Sequence, residues 1–516
     1  MVNDINERKT GAILSYVSII LNSIVQLLYT PLLIKMLGKS EYGLYSLVSS
    51  IIGYLTVLDL GFGNAIIVYT AKYRAQKKYD EEKKLQGMFF VIFCIIGFIA
   101  ALLGLILYFL VPAIFGNTMS VVELNKIKIM MLILSFNLAI TFSFNIYSSI
   151  INAYEKFIFQ KIISMFNILL KPLLMIPLLF LGYKSITMSI VITIVNIIVL
   201  LSNYFYCRKK LNIKIKFQGF DRSLFKTIFG YSFFIFLGVV VDKINWGVDQ
   251  FVLGAVSGTV AVSVYSVASQ INTLFINLST AVSGVLLPKM SKMIANSVGS
   301  DKLTYEFIKV GRIQYYIVFF MASSLVLFGE QFIKFWVGND FKASYYVALI
   351  LTIPLCFTLI QNLGISIRQA MNKHKFAAYV NTFVAIFNLI ISIFLAKVYG
   401  AIGAAIGTAL GIFISNIIID IYYQKVIKIN VLKFLKEICK LTLTFIIPVI
   451  LICVIKMIIN LDGFIYLATF GVLYFIIYTI SAYFISMNKY EKNIVKEYLI
   501  KFKRGINYDY KKYTQK

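Results

Sequence analysis

The sequence predicts an all-α integral membrane protein with fourteen transmembrane helices. They form two six-helix lobes and an appended pair, and both termini are cytoplasmic. The 516 residues are 60% hydrophobic and 14% charged, with a mean hydropathy of +0.84, whereas soluble domains are nearer half apolar and a quarter charged. The apolar runs exceed the roughly 20 residues that cross a bilayer. Basic residues cluster between alternate runs, and two distant stretches repeat one another.

Fourteen apolar segments follow one another along the chain, most of them joined by short polar turns. Proline, glycine and serine occur inside them, as packed membrane helices allow. A polar N-terminus before a long first run indicates a retained span rather than a cleaved signal peptide. The segments are 11–37, 43–71, 88–115, 124–152, 158–181, 185–207, 224–256, 259–295, 308–330, 343–371, 374–397, 401–425, 435–459 and 463–487.

The formal net charge of +28 comes mainly from basic residues between the segments and in the tail. If the N-terminus is cytoplasmic, most of the 50 Lys and Arg residues lie on the inner side, as the positive-inside rule requires. This distribution argues against nucleic-acid binding. Five scattered cysteines and one histidine show no metal-ligand or catalytic spacing. We therefore expect no metal site, no catalytic residues and no enzymatic activity.

An internal repeat relates the two halves of the chain. Gly38 is followed seven residues later by Tyr-Ser, and Gly258, 220 residues further on, is followed by the same pair at the same distance. The match pairs segments 1–6 with segments 7–12 as a parallel duplication; the alternative is chance identity between apolar stretches. The predicted parts are an N-terminal lobe (1–207), a basic cytoplasmic linker (208–223), a C-terminal lobe (224–425), an appended span pair (426–487) and a basic tail (488–516).

The tail from residue 488 has apolar residues at helical spacing among lysines. This pattern fits either an amphipathic helix on the anionic cytoplasmic leaflet or a solvated tail.

The stretch from Leu37 to Arg74, LGKSEYGLYSLVSSIIGYLTVLDLGFGNAIIVYTAKYR, resembles the N-terminal signature of a known transporter family. The run from Asp242 through DQFVLGAVSGTVAVSVYSVA is similar to it as well. The family is that of the polysaccharide or O-antigen repeat-unit flippases, in the multidrug/oligosaccharidyl-lipid/polysaccharide exporter superfamily. The resemblance extends over the whole chain in its 6 + 6 + 2 layout, and its motifs do not identify the sugar.

The resemblance implies two lobes around a central cavity and alternating access. The implied substrate is an undecaprenyl-diphosphate-linked oligosaccharide, moved to the outer face of a bacterial inner or plasma membrane. The product would serve lipopolysaccharide O-antigen, capsule or exopolysaccharide synthesis. Membrane lipids, a polysaccharide polymerase and chain-length machinery are the expected partners.

Four basic residues are candidate ligands for the substrate's diphosphate. Lys171, which precedes a proline, and Lys243 are the cations nearest the middle of a span, where a charge is costly unless it has a function or a partner. The alternative for these two is an ion pair that only fastens helices. Arg312 and Arg368 lie near inner helix ends, where they could receive substrate or simply anchor the helices.

Three acidic residues inside spans are candidate ion-coupling groups. Asp242 and Asp249 lie on one face of segment 7, and Asp59 lies in segment 2 before two glycines. An ion-driven cycle needs a carboxylate whose occupancy changes between states, so we expect H⁺ or Na⁺ coupling and no other cofactor. For Asp59 the alternatives are pairing with a lysine, capping a local helix break, or binding a proton or cation.

Polar residues inside the spans are candidates for lining the cavity, although many such residues only join helices by hydrogen bonds. Asn388, in segment 11, is one of these polar residues. The stronger candidates are Gln26, Tyr29 and Gln270, on the first helices of each lobe. Asn245 and Trp246 are further candidates from segment 7; Trp246 could stack on a sugar, and its alternative is ordinary packing.

Four other functions compete with this prediction. A drug or cation antiporter of the same superfamily usually has twelve spans. A lipid II flippase has fourteen spans and a cationic cavity, whereas the first helix here carries only Lys35. A membrane-embedded polymerase or ligase would need long outer loops, and these are short. A purely structural scaffold would not explain charges in the middle of spans.

Overall fold

The structure is a computed structural model that describes residues 2–217, 222–283, 287–296, 298–371, 373, 375–458 and 463–497. All regular elements in these ranges are helical, which confirms the predicted all-α class. Among the same residues, twelve helices are long and apolar enough to cross a membrane.

The helices follow the predicted segments in order. The first seven are α1 (Val2–Leu37), α2 (Lys39–Leu55), α3 (Phe62–Ala75), α4 (Tyr79–Phe115), α5 (Val121–Ala153), α6 (Phe157–Phe180) and α7 (Ser185–Lys209). The others are α8 (Arg222–Ser283), α9 (Leu287–Ala295), α10 (Ser300–Val337), α11 (Lys342–Ile360), α12 (Leu363–Ala370), α13 (Lys375–Tyr422), α14 (Val431–Ile458) and α15 (Gly463–Ser481). A short helix at 489–497 begins the tail.

The longest helix, α8, doubles back at Gly258, where φ is 79° and ψ is −177°. The Tyr265 hydroxyl donates a hydrogen bond to the Asp249 carboxylate. These residues are 16 positions apart, which in a straight helix would separate them by about 24 Å. The hydrogen bond therefore requires two antiparallel segments that meet at Gly258, as the sequence predicted for segments 7 and 8.

Helix α13 doubles back in the same way at Gly400, where φ is 56° and ψ is −134°. The Ser392 hydroxyl reaches the carbonyl oxygen of Ala404 at 3.3 Å, across the turn. Counting both sides of the two glycine breaks turns the twelve membrane-length helices into fourteen segments. The number of bilayer crossings and the side of each terminus stay predictions.

Where a described turn between two segments contains a residue with positive φ, that residue is glycine after odd-numbered segments and a larger polar residue after even-numbered ones. Gly38 has φ 80° and ψ 170°, which closely matches Gly258 and supports the internal repeat. Only glycine adopts this region readily. Glycine also holds the positive φ after segments 5, 9, 11 and 13, whereas a Lys, Glu or Asn residue holds it after segments 2, 4, 6 and 12. Larger polar side chains thus occur on the side predicted to be cytoplasmic.

Backbone contacts divide the chain into two compact units. Unit 1 comprises Met1–Leu274, Tyr346–Leu351 and Phe376–Ser415, and in it α4 packs along α5, α5 along α7, and α1 along α6. Unit 2 comprises Phe275–Tyr345, Thr352–Lys375 and Asn416–Lys516, and its α10 packs on α14 and α15. The predicted lobe boundaries stay predictions.

Candidate functional site

Lys171 lies in α6 directly before Pro172 and is half-buried. Among the described residues it has no hydrogen-bond or ion-pair partner. The adjacent proline leaves its helix with one backbone donor fewer. The predicted alternative, an ion pair that fastens helices, is not formed within the described part of the chain.

Lys243 lies in the first half of α8 and is also half-buried. Its Nζ is 4.0 Å from the position that a β-carbon on Gly53 of α2 would take. It too makes no ion pair or hydrogen bond within the described ranges. Lys171 and Lys243, both in unit 1, are therefore half-buried and have no acidic partner among the described residues.

Asp249 is the centre of a buried polar network in unit 1. The residue is 1% exposed. Its Oδ2 accepts hydrogen bonds from Tyr265 and from the Thr408 hydroxyl, the latter at 2.6 Å. Its Oδ1 is buried and has no hydrogen-bond partner among the described residues. One oxygen of this carboxylate is therefore free for a further ligand.

Two residues of α13 extend the network around Asp249. The Thr408 hydroxyl lies 3.3 Å from the side-chain oxygen of Asn388. The Ser392 hydroxyl donates to the same oxygen at 2.8 Å. The cluster thus presents carboxylate, amide and hydroxyl oxygens, which are the ligands that hard cations prefer. It can hold a proton on the carboxylate or a small hard cation among its oxygens.

The sequence predicted Asp249 but missed three of its partners, Tyr265, Ser392 and Thr408. Asn388 was among the polar residues inside the spans. Tyr265 belongs to the internal repeat, but the repeat indicates only the backbone turn at Gly258 and not the partner of its hydroxyl. The other two are small hydroxyl residues more than 140 positions along the chain. The sequence spacing of Ser392 and Thr408 does not distinguish them from the many Ser and Thr hydroxyls that donate to a carbonyl oxygen of their own helix.

Asp59 caps a break in the middle of segment 2. After α2 the chain forms a short 3₁₀ turn, Thr56–Asp59, and left-handed residues follow at Leu60 and Gly61. The Asp59 carboxylate accepts the backbone N–H groups of Gly61 and Gly63 at the start of α3. Asn145 of α5 donates to its Oδ1 at 3.2 Å. Asp59 thus caps a local helix break, which is one of the three alternatives that the sequence left open for it.

The predicted cavity residues fall into three groups. Gln270 bridges helices, because its amide donates to Tyr42 and its oxygen accepts from Thr30 at 2.7 Å. Gln26 and Tyr29 are half-buried on α1. The side chains of three other candidates lie outside the described part of the structure, namely Asp242, Asn245 and Trp246.

Arg312, in unit 2, is held by a buried ion-pair cluster. Its Nε and one terminal nitrogen contact the two carboxylate oxygens of Glu491 at 2.7 and 3.0 Å. Glu437 lies 3.4 Å away, and the Ser486 carbonyl oxygen accepts at 2.9 Å. Since its donors are occupied, Arg312 anchors the tail helix to α10. A substrate phosphate would have to displace Glu491.

Arg368, also in unit 2, is in a different state. It is 8% exposed, and its guanidinium lies over the ring of Tyr423 at 5.2 Å. One terminal nitrogen is buried and makes no hydrogen bond to the described residues. Of the two arginines, Arg368 is the one with free donor capacity.

Comparison with known proteins identifies the family. The sequence matches the family described as Polysaccharide biosynthesis protein over residues 9–294. The chain belongs to that family. No curated protein matches it.

Solved structures share the fold over most of the chain. A lipid II flippase, MurJ, in an inward closed conformation has a TM-score of 0.72 at 20% identity, covering 92% of this chain and 98% of its own. An inward-facing multidrug resistance MATE family transporter has a TM-score of 0.63 at 14% identity, covering 82% and 99%. A mutant of the Vibrio cholerae MATE transporter VcmN has a TM-score of 0.56 at 16% identity, covering 83% and 98%.

These likenesses confirm the predicted fold. The structures named are described as a flippase and as transporters. At identities of 20% or less they establish the fold and leave the substrate open. The protein is thus a multi-pass membrane protein of the Polysaccharide biosynthesis protein family with a flippase-type fold.

Proposed function

We propose that the protein is a flippase for an undecaprenyl-diphosphate-linked oligosaccharide repeat unit. It moves the unit from the cytoplasmic to the outer face of a bacterial plasma membrane by alternating access, for synthesis of a surface polysaccharide. The carrying observation is that Lys171 and Lys243, in membrane-spanning helices of unit 1, have no countercharge among the described residues. A lysine inside a membrane is expensive unless an anion joins it. A diphosphate supplies that anion.

The two lysines suit a moving diphosphate better than a fixed ion pair would. A lysine ammonium acts as a compact point charge with rotatable donors, so it holds phosphate without a rigid geometry. An ammonium already paired with a carboxylate would have to break that pair before it bound substrate. Arg368, in unit 2, has a buried donor without a partner among the described residues and stays a separate candidate for receiving substrate at an inner helix end. The proposal depends on contacts with the diphosphate and on none with the glycan or the lipid tail.

The Asp249 network supports ion coupling of the same cycle. Its oxygens can take up H⁺ or Na⁺, and Oδ1 has no partner among the described residues. Binding of a cation there neutralises a buried carboxylate, whereas its release leaves a buried charge. This difference in electrostatic free energy is what an ion gradient would use to bias one state over the other.

Deletion of the gene followed by analysis of lipid-linked intermediates tests the proposal. We expect undecaprenyl-linked repeat units to accumulate on the cytoplasmic side, and surface polysaccharide to return on complementation. A polymerase and chain-length machinery would then act on the outer side.

Two related functions predict other results in the same experiment. A lipid II flippase, favoured by the likeness to MurJ, would accumulate the cell-wall precursor instead. A multidrug antiporter, favoured by the likeness to the MATE transporters, would leave intermediates unchanged and increase sensitivity to cationic dyes.

A further inference from the structure

Tyr54, in the last turn of α2, carries a buried hydroxyl that the proposed cycle does not yet use. Its Oη is enclosed and makes no hydrogen bond of acceptable geometry to any described residue. The Ser50 hydroxyl lies nearby and donates to the carbonyl oxygen of Gly247 at 3.2 Å, and it makes no well-formed hydrogen bond with Tyr54. Burying a donor without an acceptor costs free energy, so such a group needs an explanation.

Gly247 of α8 makes room for this hydroxyl. A β-carbon at position 247 would lie 3.0 Å from Tyr54 Oη, so any side chain there would crowd it. Glycine in a helix interior lowers stability relative to alanine. Gly247 thus lets the Tyr54 hydroxyl, which has no acceptor among the described residues, come close to the backbone of α8. The glycine lowers the stability of α8 in return.

The Tyr54 hydroxyl approaches α8 at Gly247, which lies in the sequence between Lys243 and Asp249. The proposed function assigns Lys243 to diphosphate binding and Asp249 to ion coupling. Along α8, Gly247 is four residues after Lys243 and two residues before Asp249. The neighbour of Tyr54, Gly53, faces the Lys243 ammonium. The hydroxyl also lies within electrostatic range of the Asp249 carboxylate, whose Oδ1 has no partner among the described residues.

We propose that Tyr54 is a positioning residue that links cation occupancy at Asp249 to diphosphate binding at Lys243. This inference rests on the proposed function. When the carboxylate is empty and charged, it attracts the Tyr54 hydroxyl. When a cation occupies it, the attraction is lost and Tyr54 shifts, together with its neighbour Gly53, which faces the Lys243 ammonium. Segment 2 follows this shift because α2 ends at Leu55, where the break begins.

The test is a thermodynamic linkage measured on the purified full-length protein. Farnesyl diphosphate serves as the probe, and its Kd is measured in NaCl and in choline chloride, and at pH 6 and pH 8. Tyr265 and Tyr54 are the titratable described groups that face Asp249. In the wild type we expect one cation to change the Kd about tenfold, since couplings between linked sites usually amount to roughly 5–150-fold.

Tyr54→Phe removes only the hydroxyl. We expect the cation effect on Kd to fall to less than about twofold, while the Kd without cation stays within about threefold of wild type. Gly247→Ala, which crowds the hydroxyl, should reduce the cation effect as well. Tyr69→Phe, a tyrosine on α3 of the same segment, should keep the full wild-type effect.

Each other outcome overturns the inference in a recognisable way. An unchanged cation effect in Tyr54→Phe, with a normal effect in the wild type, removes Tyr54 from the coupling and leaves the proposed function intact. Loss of probe binding in Tyr54→Phe without cation would make Tyr54 a direct ligand instead. Absence of any cation effect in the wild type would overturn the coupling part of the proposed function, and this inference with it.

Discussion

Replacing Glu491 by Gln should release the tail helix from α10. Glu491 is 3% exposed and contacts Arg312 through both carboxylate oxygens. It also forms a capping box with Asn488, in which each side chain bonds the other's backbone N–H at 2.9 Å. The change therefore leaves a buried guanidinium with only part of its countercharge.

The magnitude follows from what remains around Arg312. Removing one partner of a buried ion pair costs about 3–5 kcal/mol. Glu437 stays 3.4 Å away, although it is 30% exposed, and the new amide can still accept one hydrogen bond. These remaining contacts offset part of that cost, so we expect a loss of about 2 kcal/mol, below that range. A loss of this size raises hydrogen exchange in 489–497 about 30-fold if the helix opens locally.

Hydrogen exchange followed by mass spectrometry measures this directly. Glu330→Gln is the matched control, since Glu330 lies on the same helix α10 and pairs with Lys334 at 3.0 Å on a partly exposed surface. Such surface pairs contribute about 0–1 kcal/mol, so exchange in 489–497 should stay as in the wild type. Equal exchange in Glu491→Gln and wild type would refute the anchoring role of Arg312.

Three further predictions concern the hairpin, the coupling site and pH. Gly258→Ala should lower thermal stability by about 1–3 kcal/mol, because φ 79° is strained for alanine and its β-carbon would lie 3.0 Å from the Thr118 carbonyl oxygen; a wild-type melting temperature would contradict this. Asp249→Asn should abolish stimulation of transport by an ion gradient but keep exchange without a gradient, and retained stimulation would exclude Asp249. Burial opposes ionisation of Glu491, but its hydrogen bonds with Arg312 and Asn488 outweigh burial and hold its pKa below the ordinary 4.5. Since this folded pKa is lower than the unfolded one, the stability difference between wild type and Glu491→Gln should be full at pH 6–7 and shrink below pH 4.5, which thermal melts at several pH values can check.

The sequence was sufficient for features that depend on local chemistry. Long apolar runs determine membrane-length helices wherever they occur, so the fourteen segments followed from hydropathy alone. Gly258 was identifiable because a reversal between two apolar helices needs a backbone conformation that favours glycine. Its partner in the repeat, Gly38, adopts nearly the same angles. Such features depend on only a few neighbouring residues.

The sequence was insufficient where function depends on which segments touch. Asp249 was a candidate because a buried carboxylate is costly, but Thr408 is 159 residues away and looks like many other hydroxyls. Arg312 illustrates the opposite case. Its position near an inner helix end suggested a substrate ligand or an anchor, and only the fold brings Glu491 against it. Lys243 required the fold too, since the lack of an ion-pair partner among the described residues cannot be read from a one-dimensional pattern.

Translocation by the reconstituted protein tests the central claim most directly. Vesicles carrying undecaprenyl-diphosphate-linked repeat units from the host would be compared for wild type, Lys171→Ala and Lys243→Ala, with Lys35→Ala as an exposed lysine control on α1. Removing a charge-assisted phosphate contact costs about 1.5–3 kcal/mol, so each test variant should be at least about tenfold slower. Lys35→Ala should match the wild type. Wild-type rates in both Lys171→Ala and Lys243→Ala would contradict the assignment of a diphosphate to these lysines.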